Sequence, residues 1–247
     1  MNNRYGNRLR LSGLVQLIRF SSLVSKPSAI QTYQDYVNHC VANNLNLESM
    51  VFKGTLYELY CKHVLEEVFF GYNLYRNGGA YDNGVDIFGK WQLSQFNTTT
   101  STKSKLPTTN CLMTNPKINL TNDINVFIQC KNHDKKMTAK VIRELSGIYN
   151  FYIKQDKISI MKNFMFLMSP HVLSKQALTQ LDTTTFPLLH VQLAPLESKD
   201  GQYSHLKKGQ LNPIYLNPTA RKILSGFNIE LQLESLRRQY NTTINIE

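Results

Sequence analysis

This 247-residue sequence predicts an α/β fold, a mixed β-sheet flanked by helices. Three observations predict it. Helical periodicities and short apolar runs follow one another in the order α-β-β-β-α-β-α-β, which places helices against a sheet of mixed strand direction. The run Phe164–Met168 is apolar without a break, as in a strand covered on both faces. The chain is also long enough for one α/β domain with extensions and a substantial core.

The first element is an amphipathic helix from Ala29 to about Asn43, because Tyr33, Tyr36, Val37 and Cys40 recur at three- and four-residue spacing. A longer helix follows over Met50–Phe70, with Leu56, Tyr60, Val64 and Phe69 on its apolar side. Gly71 is expected to end it, since glycine tolerates the left-handed conformation common just past a helix. Tyr72–Arg76 and Val85–Leu93 read as strands joined by a tight turn that contains Gly78, Gly79 and Gly84.

From Ser94 to Asp123 the composition shifts. The stretch Asn97–Lys105 is polar and of low complexity, so it cannot bury enough surface to offset its ordering entropy. It predicts a surface insertion, with a basic loop that follows a nucleic-acid strand as the functional alternative. Ile124–Lys131 then reads as a central strand. Thr138 is placed to cap a helix running to about Gln155. After Phe164–Met168 come a short helix at Ser174–Leu181 and a strand at Leu188–Leu193.

Beyond Pro195, the residues Lys199, Lys207, Lys208, Pro213 and Pro218 predict a loop-rich extension, closed by helices at Thr219–Leu224 and Glu230–Tyr240. The expected divisions are a presequence at 1–28, an N-terminal helical segment at 29–52, a main domain at 53–193 with insertion 94–123, and a C-terminal extension at 194–247.

The net charge of +11 and a pI near 9.4 suit a polyanionic partner. Arg4, Arg8, Arg10, Arg19 and Lys26 precede the first carboxylate, Asp35, and taking these five cations from the net +11 leaves +6 for the rest. The body is therefore basic in its own right. The N-terminal stretch is Arg-rich, Ser-rich and free of acids, with Leu11, Leu14, Val15 and Ile18 at helical spacing. That is the composition of a mitochondrial presequence, with Arg19-Phe20-Ser21-Ser22 resembling a processing site. A basic nucleic-acid arm is the alternative for the same residues. No apolar run reaches the roughly 18–20 residues needed to cross a bilayer, so a soluble protein without stable membrane insertion is expected.

Cys40, Cys61, Cys111 and Cys130 lie far apart with no CxxC pair, which points away from both a zinc site and a disulfide framework. Three Asn-x-Thr matches, at Asn97, Asn119 and Asn241, are what an Asn- and Thr-rich chain produces by chance.

The chemistry concentrates on two strands. Side chains alternate along a strand, so Gln129 and Lys131 share one face while Ile128 and Cys130 point to the other. With Asp86 beside them, a carboxylate, an amide oxygen and an ammonium converge. Asp82, Gly84 and Asp86, then Gln129 and Lys131, then Glu144-Leu145-Ser146-Gly147 resemble the D-x-G-x-D, Q-x-K and E-L-x-G signatures of the Mrr-like branch of the PD-(D/E)XK nuclease superfamily. The likeness runs roughly from Lys53 to Leu193. It is similar to fungal mitochondrial members of that branch.

The resemblance implies a restriction-endonuclease-like sheet and a metal-dependent phosphodiesterase. It assigns catalysis to Glu58, Asp86, Gln129 and Lys131, with Glu58, Asp86 and Gln129 holding Mg²⁺, for which Mn²⁺ can substitute. Asp82 and Glu144 would support these ligands, and Lys135, Lys136 and Lys140 would contact phosphates. Each has an ordinary counterpart: Glu58 paired with Lys62, Gln129 as a buried amide, Glu144 paired with Lys140, and the lysines as a solvated face. His133 and Asp134 stay outside the core site. Gln129 stands where many of these nucleases have a carboxylate, so it supplies a ligand oxygen without negative charge.

The expected function is a mitochondrial-matrix nuclease, acting on DNA in preference to RNA, in genome maintenance and respiratory growth. Two alternatives stand beside it: an inactive nuclease-fold protein that binds nucleic acid, and a respiratory assembly or scaffold protein that uses the C-terminal extension. Expected partners are nucleic acid, a second copy in a homodimer, or another mitochondrial protein.

Overall fold

In the computed structural model, which describes residues 30–77, 83–97, 124–153, 157–199, 202–225 and 228–245, the N-terminal helices begin at side-chain caps. Thr32 accepts from the Asp35 amide ahead of α1 (Tyr33–Ala42), and Ser49 from the Phe52 amide ahead of α2 (Met50–Val68). α2 is buried around most of its circumference, from Phe52 through Tyr57, Tyr60, Cys61 and Val64 to Val68. Its end differs from expectation. Phe70, with φ +56°, takes the left-handed position, and Gly71 instead opens β1 (Gly71–Arg76). Gly71 sits in a tight space: a Cβ there would lie 2.9 Å from Leu74 Cδ1, at the end of a side chain that can shift, and 3.1 Å from the Leu65 carbonyl oxygen.

β2 (Ile87–Trp91) is shorter than the expected Val85–Leu93. Leu93–Asn97 forms a 3₁₀ turn whose Leu93 and Phe96 are buried, so the first residues of the expected insertion belong to the core. The remainder, 98–123, lies outside the described residues, as do 1–29, Gly78, Gly79 and Asp82. β3 (Ile124–Cys130) is followed by α3 (Ala139–Tyr152), whose Thr138 precedes the helix without a side-chain cap bond. The chain continues through α4 (Lys157–Lys162), β4 (Asn163–Ser169), α5 (Lys175–Asp182) and β5 (Leu188–Leu193).

The segment after Pro195 is richer in structure than its prolines and lysines predict. It forms a hairpin, β6 (Glu197–Lys199) with β7 (Gln202–Lys207), then β8 (Leu211–Leu216), α6 (Pro218–Ile223) and α7 (Ile229–Ile244). β8 adds to the main sheet, whose order is β1-β2-β3-β4-β5-β8. β3, β4 and β5 run parallel; the β1–β2, β2–β3 and β5–β8 pairs are antiparallel.

The expected mixed sheet flanked by helices is therefore present. Strand alternation divides its core. Val126, Ile128, Cys130, Phe164, Phe166 and Met168 pack on the side of α1, α2 and α7. Phe127, Met165, Leu167 and Leu188 pack against Ile142, Leu145 and Tyr149 of α3 and Ala177 and Leu181 of α5. All seven residues of β4 are buried, as its unbroken apolar run requires. Among the described residues, no helix is long and apolar enough to cross a membrane.

Candidate active site

The C-terminal end of β3 carries the candidate chemistry. Gln129 is buried between hydrophobic neighbours on the α3 side of the sheet, and Lys131 follows on the same face. Asp86 comes from the segment just before β2, which the Asn83-Gly84 turn delivers with φ values of +50° and +79°. Asp86 is held by its backbone: its amide donates to the Ile128 carbonyl at 3.0 Å, and its carbonyl accepts from the Asn77 amide at 2.7 Å.

Those anchors bring Asp86 and Gln129 together. Asp86 Oδ2 accepts from Gln129 Nε2 at 2.6 Å and from the Cys130 amide at 2.6 Å. Asp86 and Gln129 are each only 5% exposed, so the pair is nearly removed from water. Gln129 Oε1, turned away from Asp86, has no hydrogen-bond partner among the described residues. A cavity of about 370 Å³ opens here, lined by Asn83, Gly84, Gln129, Lys131, Glu144 and Ile148 among others. The Lys131 side chain has no ion-pair partner among the described residues, while its backbone amide extends the ladder to Met168 at 2.9 Å.

The other expected residues divide. Glu58, on α2, does not pair with Lys62, which binds Glu66 at 2.9 Å. Glu58 Oε2 instead accepts from Arg76 Nε at 2.6 Å, and Arg76 Nη2 reaches Thr55 Oγ1 at 3.2 Å. Glu144 lines the cavity and lies 3.8 Å from Lys140 across a helical turn. Lys135 and Lys136 are exposed on the loop after β3, as are His133 and Asp134. Asp82 lies outside the described residues.

Cys130 separates Gln129 from Lys131 and points to the opposite layer. Burial pushes its thiol well up; contact with Cys61 and the negative charges of Asp86 and Glu58 reinforce the shift. The thiol is therefore a neutral packing group rather than a nucleophile.

Sequence reasoning missed Arg76 and Asn77, the residues that tie the end of β1 to Glu58 and Asp86. No local spacing signals them, because both contacts join elements distant in sequence.

A hard divalent cation suits these donors in kind: two carboxylates and an amide oxygen. Among the described residues, no three His, Cys, Asp or Glu side chains form a metal-holding group, so a site here depends on the Gln129 amide. Its NH₂ faces Asp86, and both oxygens would face one ion only after the amide turns over.

A family profile described as Required for respiratory growth protein 7 matches residues 49–224. Similar proteins bear the name "Required for respiratory growth protein 7, mitochondrial". One from Lachancea thermotolerans is 29% identical over 207 residues, covering 78% of this chain and 80% of the relative. One from Kluyveromyces lactis is 28% identical over 212 residues, covering 81% and 88%. One from Saccharomyces cerevisiae is 28% identical over 238 residues, covering 89% and 94%. No solved structure gives a significant match.

Proposed function

The chain belongs to the family of Required for respiratory growth protein 7, whose named members are mitochondrial, and from that premise we propose that it is a metal-dependent nuclease of the mitochondrial matrix. It hydrolyses phosphodiester bonds, with DNA preferred over RNA, and serves respiratory growth through maintenance of the mitochondrial genome. The Mrr-like PD-(D/E)XK assignment is part of this reading.

One observation carries it: the buried Asp86–Gln129 contact ends a parallel strand where Gln129 and Lys131 open on one cavity. Phosphodiester hydrolysis builds negative charge on the phosphate oxygens and on the leaving oxygen. Lys131 supplies a cation with no ion-pair partner among the described residues, suited to meet that charge. Glu58, Asp86 and Gln129 Oε1 would hold a Mg²⁺ or Mn²⁺ ion, which when bound supplies a Lewis acid and an acidified water. The Asn83-Gly84 turn lines the same cavity with little side-chain bulk, leaving room for a sugar-phosphate chain.

The test is cleavage of single-stranded, duplex, flapped and branched substrates with Mg²⁺ and with EDTA. Asp86→Ala and Lys131→Ala should each lower cleavage by roughly 10²- to 10³-fold. Equal trace activity in wild type and both variants would sink the catalytic reading.

A second reading is a nucleic-acid-binding protein without catalysis. The Gln129 amide favours it, because Gln129 satisfies Asp86 with an N–H and brings no charge of its own. Salt-sensitive binding retained by both variants, with no cleavage by any of the three proteins, is its signature.

A further inference from the structure

Arg76 has no assigned role, yet it occupies the position from which a cation can act on the candidate site. It is the last residue of β1 and pairs across the strands with Ile87, the residue after Asp86. Its guanidinium turns towards α2 and binds Glu58 at 2.6 Å, with side chains only 12% and 21% exposed for Arg76 and Glu58 respectively. Thr55 Oγ1 accepts a second bond, from Nη2, at 3.2 Å. Nη1 has no hydrogen-bond partner among the described residues.

The electrostatic logic follows from the two carboxylates. Glu58 is held by Arg76, whose cross-strand partner Ile87 follows Asp86 and whose neighbour Asn77 donates to the Asp86 carbonyl, so the two carboxylates reach this end of the sheet from different elements. Asp86 accepts from the N–H groups of Gln129 and Cys130, and Glu58 pairs with the Arg76 guanidinium. A metal ion recruited to Glu58 must therefore compete with Arg76. A guanidinium displaced from a carboxylate keeps its planar fork, which matches two oxygens of a phosphodiester as well as it matched the carboxylate.

We propose that Arg76 is the resident cation of this site: it holds Glu58 until a divalent metal ion takes that carboxylate, and the released guanidinium then pairs with a phosphodiester oxygen of the bound nucleic acid. The inference rests on the nuclease reading and gives it an order, in which metal loading arms the site for its polyanionic substrate. Arg76 positions substrate; it is not the group that attacks.

Calorimetric titration of the full chain with Mn²⁺ tests the first half, and fluorescence anisotropy of a DNA duplex at saturating Mn²⁺ tests the second. Arg76→Ala should bind Mn²⁺ roughly 3- to 10-fold more tightly, the weight of a partly exposed ion pair no longer competing. The same variant should bind the duplex more weakly by a similar factor once metal is loaded. Arg76→Lys, which keeps the charge and loses the fork, should fall between wild type and Arg76→Ala in both measurements, and it carries the comparison if Arg76→Ala fails to fold. Mn²⁺ binding that Asp86→Ala abolishes but neither Arg76 variant strengthens would overturn the proposal while leaving the nuclease reading standing. A wild-type chain that binds no Mn²⁺ at all would remove both.

Discussion

His190 lies on β5, 5% exposed, with Nε2 2.8 Å from Ser169 Oγ; that hydroxyl donates to the His171 carbonyl at 2.8 Å, so the imidazole Nε2–H must be the donor to Ser169. Burial lowers the pKa of His190 from 6.5 to about 4, against a smaller upward pull from the His171 backbone. The folded protein therefore prefers the neutral ring, while the unfolded chain takes up a proton near pH 6.5. Stability from this residue is complete above about pH 6.5 and falls as pH drops towards 4, by roughly 3 kcal/mol in all. Urea midpoints at pH 7.5 and pH 5 should show about 2 kcal/mol of that loss, and His190→Asn should flatten the slope between them. Glu234, lowered to about 2 by hydrogen bonds from Arg237 and Arg238, loses its contribution only below about pH 4.5, so it does not enter a comparison of pH 7.5 with pH 5.

At the scale of elements, the Asn83-Gly84 turn sets where Asp86 meets β3. Gly84 has φ +79°, and a Cβ there would press into Ile148 Cδ1, on the α3 wall of the cavity. Gly84→Ala should cost about 1–3 kcal/mol, read as about 2–4 °C of Tm for each kcal/mol in a chain of this size. Gly54 is the contrast: it sits inside α2 with nothing within 4 Å of its missing Cβ, so Gly54→Ala should raise Tm. Equal melting shifts in the two variants would show that the turn is not held as described.

The same comparison explains what local pattern reveals. β3, β4 and β5 are legible because buried parallel strands are apolar on both faces, and the pairing of Gln129 with Lys131 follows from period two alone. Gly84 is legible as a turn residue because Asn-Gly tolerates positive φ. β8 was not legible: Leu211-Asn212-Pro213-Ile214 reads as loop, yet Pro213 is exposed on an edge strand, where a missing N–H leaves no ladder bond unmade. The pairing of Glu58 with Arg76 escaped for another reason. Their contact joins β1 to α2, and α2 offers Lys62 at the spacing that local rules favour, although Glu66 takes it.

For the whole molecule, the sequence suggests an extension after residue 193, but its residues complete the core laid down by the earlier elements. Leu211, Leu216, Ala220, Leu224, Ile229, Leu233, Tyr240 and Ile244 are buried in the same cluster as Tyr57, Tyr60, Phe166 and Val191. Tyr57 donates to the Leu193 carbonyl at 2.9 Å, and Tyr60 and Tyr240 meet at their hydroxyls over the Gly209 carbonyl. Asn217, fully buried, caps α6 while accepting from the Leu188 amide, locking β8 and α6 to the start of β5. The family match, which runs to residue 224, also crosses this boundary. Losing one buried Leu or Ile side chain costs about 2–5 kcal/mol, and a domain holds about 5–15 kcal/mol in total. A chain ending at residue 194 loses several at once and leaves the β5 edge unpaired, so it should lack a cooperative thermal transition and elute as aggregate on size exclusion. A chain ending at residue 245 should match wild type. If the shorter chain melts cooperatively as a monomer, residues 195–247 are an independent appendage, and binding studies on that truncated protein become meaningful for the first time.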